Sequence, residues 1–128
     1  MREVIKTTHA PSAIGPYSQG IKVSAANLLF TAGQVALDPA TGQMIEGDIK
    51  AQTRRTLENV KAILTAAGST LANVVKTTVF MTDLSEFAAM NEAYGEFFPQ
   101  NPPARSTVEV RALPCGARVE IETIAIVS

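Results

Sequence analysis

A chain of 128 residues fits a single domain spanning 1–128, long enough to bury roughly two-thirds of its unfolded surface. Apolar residues make up 46%, and 11 basic against 12 acidic side chains leave a net charge of −1. The apolar share excludes a disordered chain, and the balanced charge argues against a non-specific nucleic-acid binder and a polybasic membrane patch. One cysteine, Cys115, and one histidine, His9, exclude an internal disulfide and a multi-histidine metal centre. No metal and no cofactor are expected, and a reducing, cytoplasmic compartment is the simplest reading. Met1 to Lys6 lacks the apolar core of a secretion signal, and no apolar run is long enough to span a bilayer.

In chain order, Glu3 to Thr7 reads as a short edge strand. Ala10 to Gly20 holds two prolines and two glycines and reads as irregular. Ile21 to Ser24 and Leu28 to Ala32 read as strands joined by a turn at Ala25-Ala26-Asn27, with Gly33 closing the second. Asp38-Pro39-Ala40-Thr41-Gly42 is a turn. Asp48 to Ala67 is the clearest helix. Asp48 can cap it, Gly68 stands where a terminating glycine belongs, and Ile49, Thr53, Leu57, Val60, Leu64 and Ala67 recur at helical steps as its buried stripe.

Val74 to Met81 is a strand with two partly apolar faces. Asp83-Leu84-Ser85-Glu86 has the pattern of a capping box for a second helix, ending near Phe98. Leu84, Phe87, Asn91, Tyr94 and Phe98 share one face of it, which makes Asn91 a polar group in an apolar stripe. Pro99, Pro102 and Pro103 end that helix. Ala104 to Ala112 and Ala117 to Val127 are the last strands.

The order β-β-β-α-β-α-β-β is that of an α+β domain, expected as one six-stranded mixed sheet with two helices on one face. The uncovered face would expose apolar surface, which predicts a homo-oligomer with ligand clefts at the subunit seams.

Chemistry points to the last two strands. Arg105 offers a planar fork for a carboxylate, and Glu120 offers a base. On paired strands the two could hold a small acid and activate a water beside it. The residues alone leave other readings open. Arg105 could form a cross-strand ion pair with Glu109, Glu120 or Glu122, and Glu120 and Glu122 could be solvated or bound to Arg105 and Arg118. Tyr17 could pack its ring in a loop, Asn91 could satisfy backbone groups, Cys115 could be an incidental surface thiol, and His9 is expected to be inert.

Four separated motifs add to this: Ile14-Gly15-Pro16-Tyr17-Ser18-Gln19, Phe30-Thr31-Ala32-Gly33-Gln34, Pro103-Ala104-Arg105-Ser106-Thr107-Val108-Glu109-Val110, and Leu113-Pro114 with Val119-Glu120-Ile121-Glu122. In this order they resemble the RidA (reactive intermediate deaminase A, or YjgF) family, from Ile5 to Ile126. The resemblance implies a chorismate-mutase-like fold and a homotrimer with three clefts between subunits. It also implies cofactor-free hydrolysis of 2-imino acids such as 2-iminopropanoate and 2-iminobutanoate to 2-oxo acids and ammonia. The role implied is removal of reactive intermediates released by pyridoxal-phosphate enzymes.

Arg105 then matches the arginine that binds the substrate carboxylate, and Glu120 the acid associated with the attacking water. Tyr17 matches the tyrosine lining the cleft, Gly33 the glycine whose backbone approaches the ligand, and Asn91 the asparagine near the site. Thr107 stands where cysteine is common and where the contact is attributed to the backbone. Two positions depart from the pattern. Ala32 replaces a common serine, removing a hydroxyl, and Pro102 replaces a common aromatic. Two other readings stand beside the deaminase: a non-catalytic sensor of small carboxylates, which the missing hydroxyl at position 32 leaves open, and an endoribonuclease or translation inhibitor, which the charge balance disfavours.

Overall fold

The structure is a computed structural model, and it describes residues 2–24 and 26–127. The elements are β1 (Arg2–Ile5), β2 (Gly20–Val23), β3 (Asn27–Phe30), α1 (Ile49–Ala66), β4 (Val74–Met81), α2 (Phe87–Phe97), β5 (Ala104–Glu109) and β6 (Val119–Val127). The architecture is α+β, but the six strands do not form one sheet. β1 and β2 make a separate antiparallel pair, and the main sheet has four strands in the order β3-β6-β4-β5. β4 runs antiparallel to β6 and parallel to β5.

The division has a physical cause. The outer edge of β5 begins beside Pro102 and Pro103, which cannot donate to a ladder. Among the described residues it is Ser18 that reaches it, its N–H donating to Pro103 O at 3.0 Å. The β1-β2 pair is instead tied on by a side chain. The Arg2 guanidinium donates to Val74 O at 3.0 and 3.1 Å and to Asn101 O at 2.8 Å.

α1 follows its sequence signals. Asp48 Oδ1 accepts from the Ala51 N–H at 2.9 Å. At the other end Gly68 has φ +79°, with its N–H on Thr65 O and the Ser69 N–H on Leu64 O. That is the Schellman arrangement, and it needs a left-handed residue at position 68. Ile49, Thr53, Leu57, Val60 and Leu64 are all buried.

The capping box of the second helix is only half made. Asp83 Oδ1 accepts from the Ser85 N–H, opening a 3₁₀ turn over Leu84–Glu86. Glu86 does not reach back to it, because its carboxylate is bound by the Arg118 guanidinium.

Both helices cover one face of the main sheet. Val79, Met81, Val119, Ile121 and Ala125 join Leu57, Leu64, Met90 and Tyr94 in one core. β5 stops at Glu109, short of the expected Ala112, because Glu109 pairs with Met81, the last residue of the neighbouring strand β4. β1 ends at Ile5 because Ile5 pairs with Gly20, the start of β2; the Thr7 N–H turns instead to Gln19 Oε1 at 2.7 Å. The turn expected at Ala25-Ala26-Asn27 includes Ala25, outside the described residues, and the strands on either side of it belong to different sheets.

The face of the main sheet away from the helices stays open. Phe30 is 66% exposed, Leu28 47% and Val108 43%. Among the described residues no helix is long and apolar enough to cross a membrane.

Candidate active site

Arg105 lies on β5 in register with Thr77. Thr77 is buried beneath α2, its hydroxyl 2.8 Å from Tyr94 Oη. In-register neighbours share a face, so Arg105 also points to the helix side, at the sheet's edge. There it meets Phe87, Asn91 and Tyr94, spaced four and three residues apart along one face of α2. Arg105 Nη1 donates to Asn91 Oδ1 at 2.7 Å. Its Cζ lies 4.9 Å from the Tyr94 ring centroid and 5.5 Å from those of Phe87 and Tyr17. Flat rings around a planar cation hold it by cation–π attraction without neutralising it.

Tyr17 reaches this cage through a stitched loop. The Gln19 side chain binds Thr7 O, Ala10 O and Pro11 O, supplying hydrogen bonds that the irregular segment cannot make for itself. Ser18 is bound to Pro102 O and Pro103 O, which sets Tyr17 beside the start of β5. Gly15 lies against the site, and a β-carbon there would be 3.3 Å from Asn91 Nδ2 and 3.9 Å from Arg105 Nη2.

The cation–carboxylate readings of Arg105 do not hold. Among the described residues the ion pairs are Lys50–Glu92, Arg54–Glu96 and Arg118–Glu86, and Arg105 is in none. Burial pulls its pKa below the ordinary arginine value, opposed by Tyr94 and Tyr17. An arginine stays charged under such a shift. Burial also pushes Tyr94 up to about 12, so its hydroxyl remains a neutral partner of Thr77. Thr107 is two residues from Arg105 on the same face, and its hydroxyl is buried without a partner among the described residues.

Glu120 is elsewhere. It lies on β6 in register with Phe80, and Phe80 is three residues from Thr77 on the same strand. An odd step reverses the face, so Glu120 points to the open side. β4 separates β5 from β6, which corrects the expectation that Arg105 and Glu120 sit on paired strands. Two strand spacings and three residues of offset put their Cα atoms about 14 Å apart. Gly33 accompanies Glu120: a β-carbon at Gly33 would be 2.7 Å from Glu120 Cδ. One chain thus holds two clusters, with Arg105, Asn91, Tyr17 and Thr107 in one and Glu120 and Gly33 in the other.

Sequence reasoning missed Phe87 and Tyr94 as site residues, taking them as core. Tyr94 is indeed fully buried, but Phe87 and Asn91 are half-buried and Leu84 is 40% exposed. The polar Asn91 within the stripe was the available signal, since it marks the helix face turned toward a cation.

The sequence profile described as Endoribonuclease L-PSP matches residues 7–127. The chain belongs to this family. Its relatives include those now called Rid proteins, as the four motifs implied. A mouse protein named 2-iminobutanoate/2-iminopropanoate deaminase is 47% identical over 98% of this chain and 92% of its own length. The crystal structure of RidA from Psychrobacter is 46% identical, with TM-score 0.76, covering 98% of this L-PSP chain and 99% of that one. E. coli TdcF, solved with bound serine, is 45% identical with the same TM-score of 0.76 over 98% of this chain and 99% of its own.

Proposed function

We propose that this chain hydrolyses small 2-imino acids, such as 2-iminopropanoate and 2-iminobutanoate, to 2-oxo acids and ammonia at clefts between subunits of a homotrimer. The observation that carries the reading is Arg105: a half-buried guanidinium, oriented by Asn91 and three rings, with no carboxylate partner among the described residues. A buried charge without a counter-ion is costly, and a small organic anion supplies one. A mouse relative is named for this deaminase activity and TdcF binds serine, a small carboxylate.

The reaction adds water across C=N. The substrate carboxylate takes the free edge of the Arg105 fork, which orients the iminium carbon. Glu120 of a neighbouring copy accepts a proton from water as its oxygen attacks that carbon. Glu120 then returns that proton to the nitrogen of the carbinolamine, the carbinol hydroxyl releases its own proton to solvent as the C–N bond breaks, and ammonia departs to leave a 2-oxo acid. A positioned carboxylate supplies about 10²–10⁴-fold in rate, enough for a reaction that already proceeds in water.

The subunit arrangement follows from the faces. Arg105 and Glu120 cannot reach one substrate within a single chain, so the acid at the cage must come from a second copy, which also covers the open sheet face. Burying Phe30, Leu28 and Val108 there would contribute about 1.5–3 kcal/mol for each side chain fully covered. Phe30→Glu is expected to yield monomers in sedimentation. The ribonuclease in the family's description fits less well, because a net charge of −1 supplies no electrostatic footprint for a polyanion.

The test is a coupled assay in which a dehydratase generates the imine and its disappearance is followed. The wild-type chain should accelerate loss, and Arg105→Ala should not, while keeping its oligomeric mass. No acceleration by the wild-type chain sinks the reading; calorimetric binding of 2-oxobutanoate without turnover would point to the sensor instead.

A further inference from the structure

We propose that Gly33 is a positioning residue for Glu120: by lacking a side chain it opens the space in which the carboxylate lies, and so aims the acid. This rests on the reading of Glu120 as the group that handles water.

The backbone prepares the contact. The Thr31 N–H donates to Thr123 O, while Gln34 and Ile121 exchange both main-chain hydrogen bonds. Between these pairs Ala32 and Gly33 stand opposite Glu122 alone. That is a β-bulge, a device that redirects side chains beside functional sites.

Sterics then explain the glycine. A β-carbon at position 33 would overlap Glu120 Oε2, and would lie 2.7 Å from Cδ and 3.0 Å from Cγ. The backbone does not itself require glycine. Positive φ occurs at Gly42, Gly47, Gly68 and Gly116, and not at Gly33. Alanine could adopt the conformation, but its β-carbon would force the Glu120 carboxylate to move from where it lies.

Nothing polar does this work instead. Among the described residues Glu92, Glu96 and Glu86 are fixed by Lys50, Arg54 and Arg118, but Glu120 has no ion pair and no side-chain hydrogen bond. On β6 it stands between Phe80 of β4 on one flank and Gly33 on the other. A bulky ring on one side and an empty position on the other incline the carboxylate toward residue 33.

A double-substitution cycle tests the idea on the full chain. Gly33→Ala is made alone and in a Glu120→Ala background, and both melting temperature and imine hydrolysis are measured. Alone, Gly33→Ala should lower the melting temperature and reduce kcat about 10²-fold, with KM within about twofold because the Arg105 anchor is untouched. In the Glu120→Ala background the same change should raise the melting temperature, since alanine loses less chain entropy on folding, and should cost no further activity. An equal fall in melting temperature in both backgrounds, or a kcat loss that multiplies with that of Glu120→Ala, overturns the proposal. If the wild-type chain does not hydrolyse imines, the deaminase reading fails by itself, and the melting cycle still decides whether residue 33 places the acid.

Discussion

Arg105 and Glu120 project from opposite faces of the four-stranded sheet, Arg105 level with buried Thr77 and Glu120 level with Phe80 on the open side. If both serve one reaction, each active site takes one residue from each of two copies. Arg105→Ala and Glu120→Gln should then complement. Each variant is expected to be inactive alone, and an equimolar mixture unfolded and refolded together should regain about a quarter of the wild-type sites by random assembly. A mixture as inactive as its components would mean that the two residues act within one chain or do not act together.

The Asn91–Arg105 hydrogen bond makes a second prediction. Asn91→Asp keeps the shape but places a carboxylate on the fork, so the internal anion competes with substrate. KM should rise about 10–100-fold, since hydrogen bonds to charged groups contribute about 1.5–3 kcal/mol. Asn91→Ala should cost less, because it loosens the guanidinium without occupying it. Steady-state kinetics on both variants decide the point, and an unchanged KM in Asn91→Asp would remove Asn91 from the site.

Stability should fall in acid through particular carboxylates. The backbone hydrogen bond from Ala51 holds Asp48 below its ordinary pKa, hydrogen bonds from Ser85 do so for Asp83, and Arg54 does so for Glu96. A lowered folded-state pKa means that the stabilisation is complete above the ordinary carboxylate range and is lost as pH falls through the folded values. Asparagine caps a helix as well as aspartate but does not titrate. Asp48→Asn should therefore show a shallower loss of melting temperature between about pH 5 and pH 2; identical slopes would show that the cap carries no part of the acid sensitivity.

Thr56 offers a gain. It is fully buried, and its hydroxyl has no partner among the described residues, whereas Thr53, the same residue type about one turn earlier, donates to Ile49 O at 2.7 Å. An unsatisfied buried hydroxyl costs about 1–3 kcal/mol. Thr56→Val should raise stability by about 1 kcal/mol, and Thr53→Val should lower it. Urea titration with an unchanged m-value reads both; a destabilised Thr56→Val would show that its hydroxyl is bound.

The limits of α1 were legible because they are local. Asp48 and Gly68 act within a turn of the helix they bound, and a stripe at steps of three and four needs no knowledge of what it packs against. The four motifs likewise named the family and its candidate residues. What the sequence alone determined is therefore which groups are present and which short segments hold them. Strand order and facing are another matter. Ala104–Glu109 and Val119–Val127 look like neighbours in the chain, yet β4 inserts between them, and a step of three residues along β4 decides that Arg105 and Glu120 face apart. The ring cage around Arg105 and the empty position beside Glu120 arise from contacts between residues 11 to 88 positions apart. Such contacts depend on which strands pair and in what register, and those are properties of the folded chain as a whole.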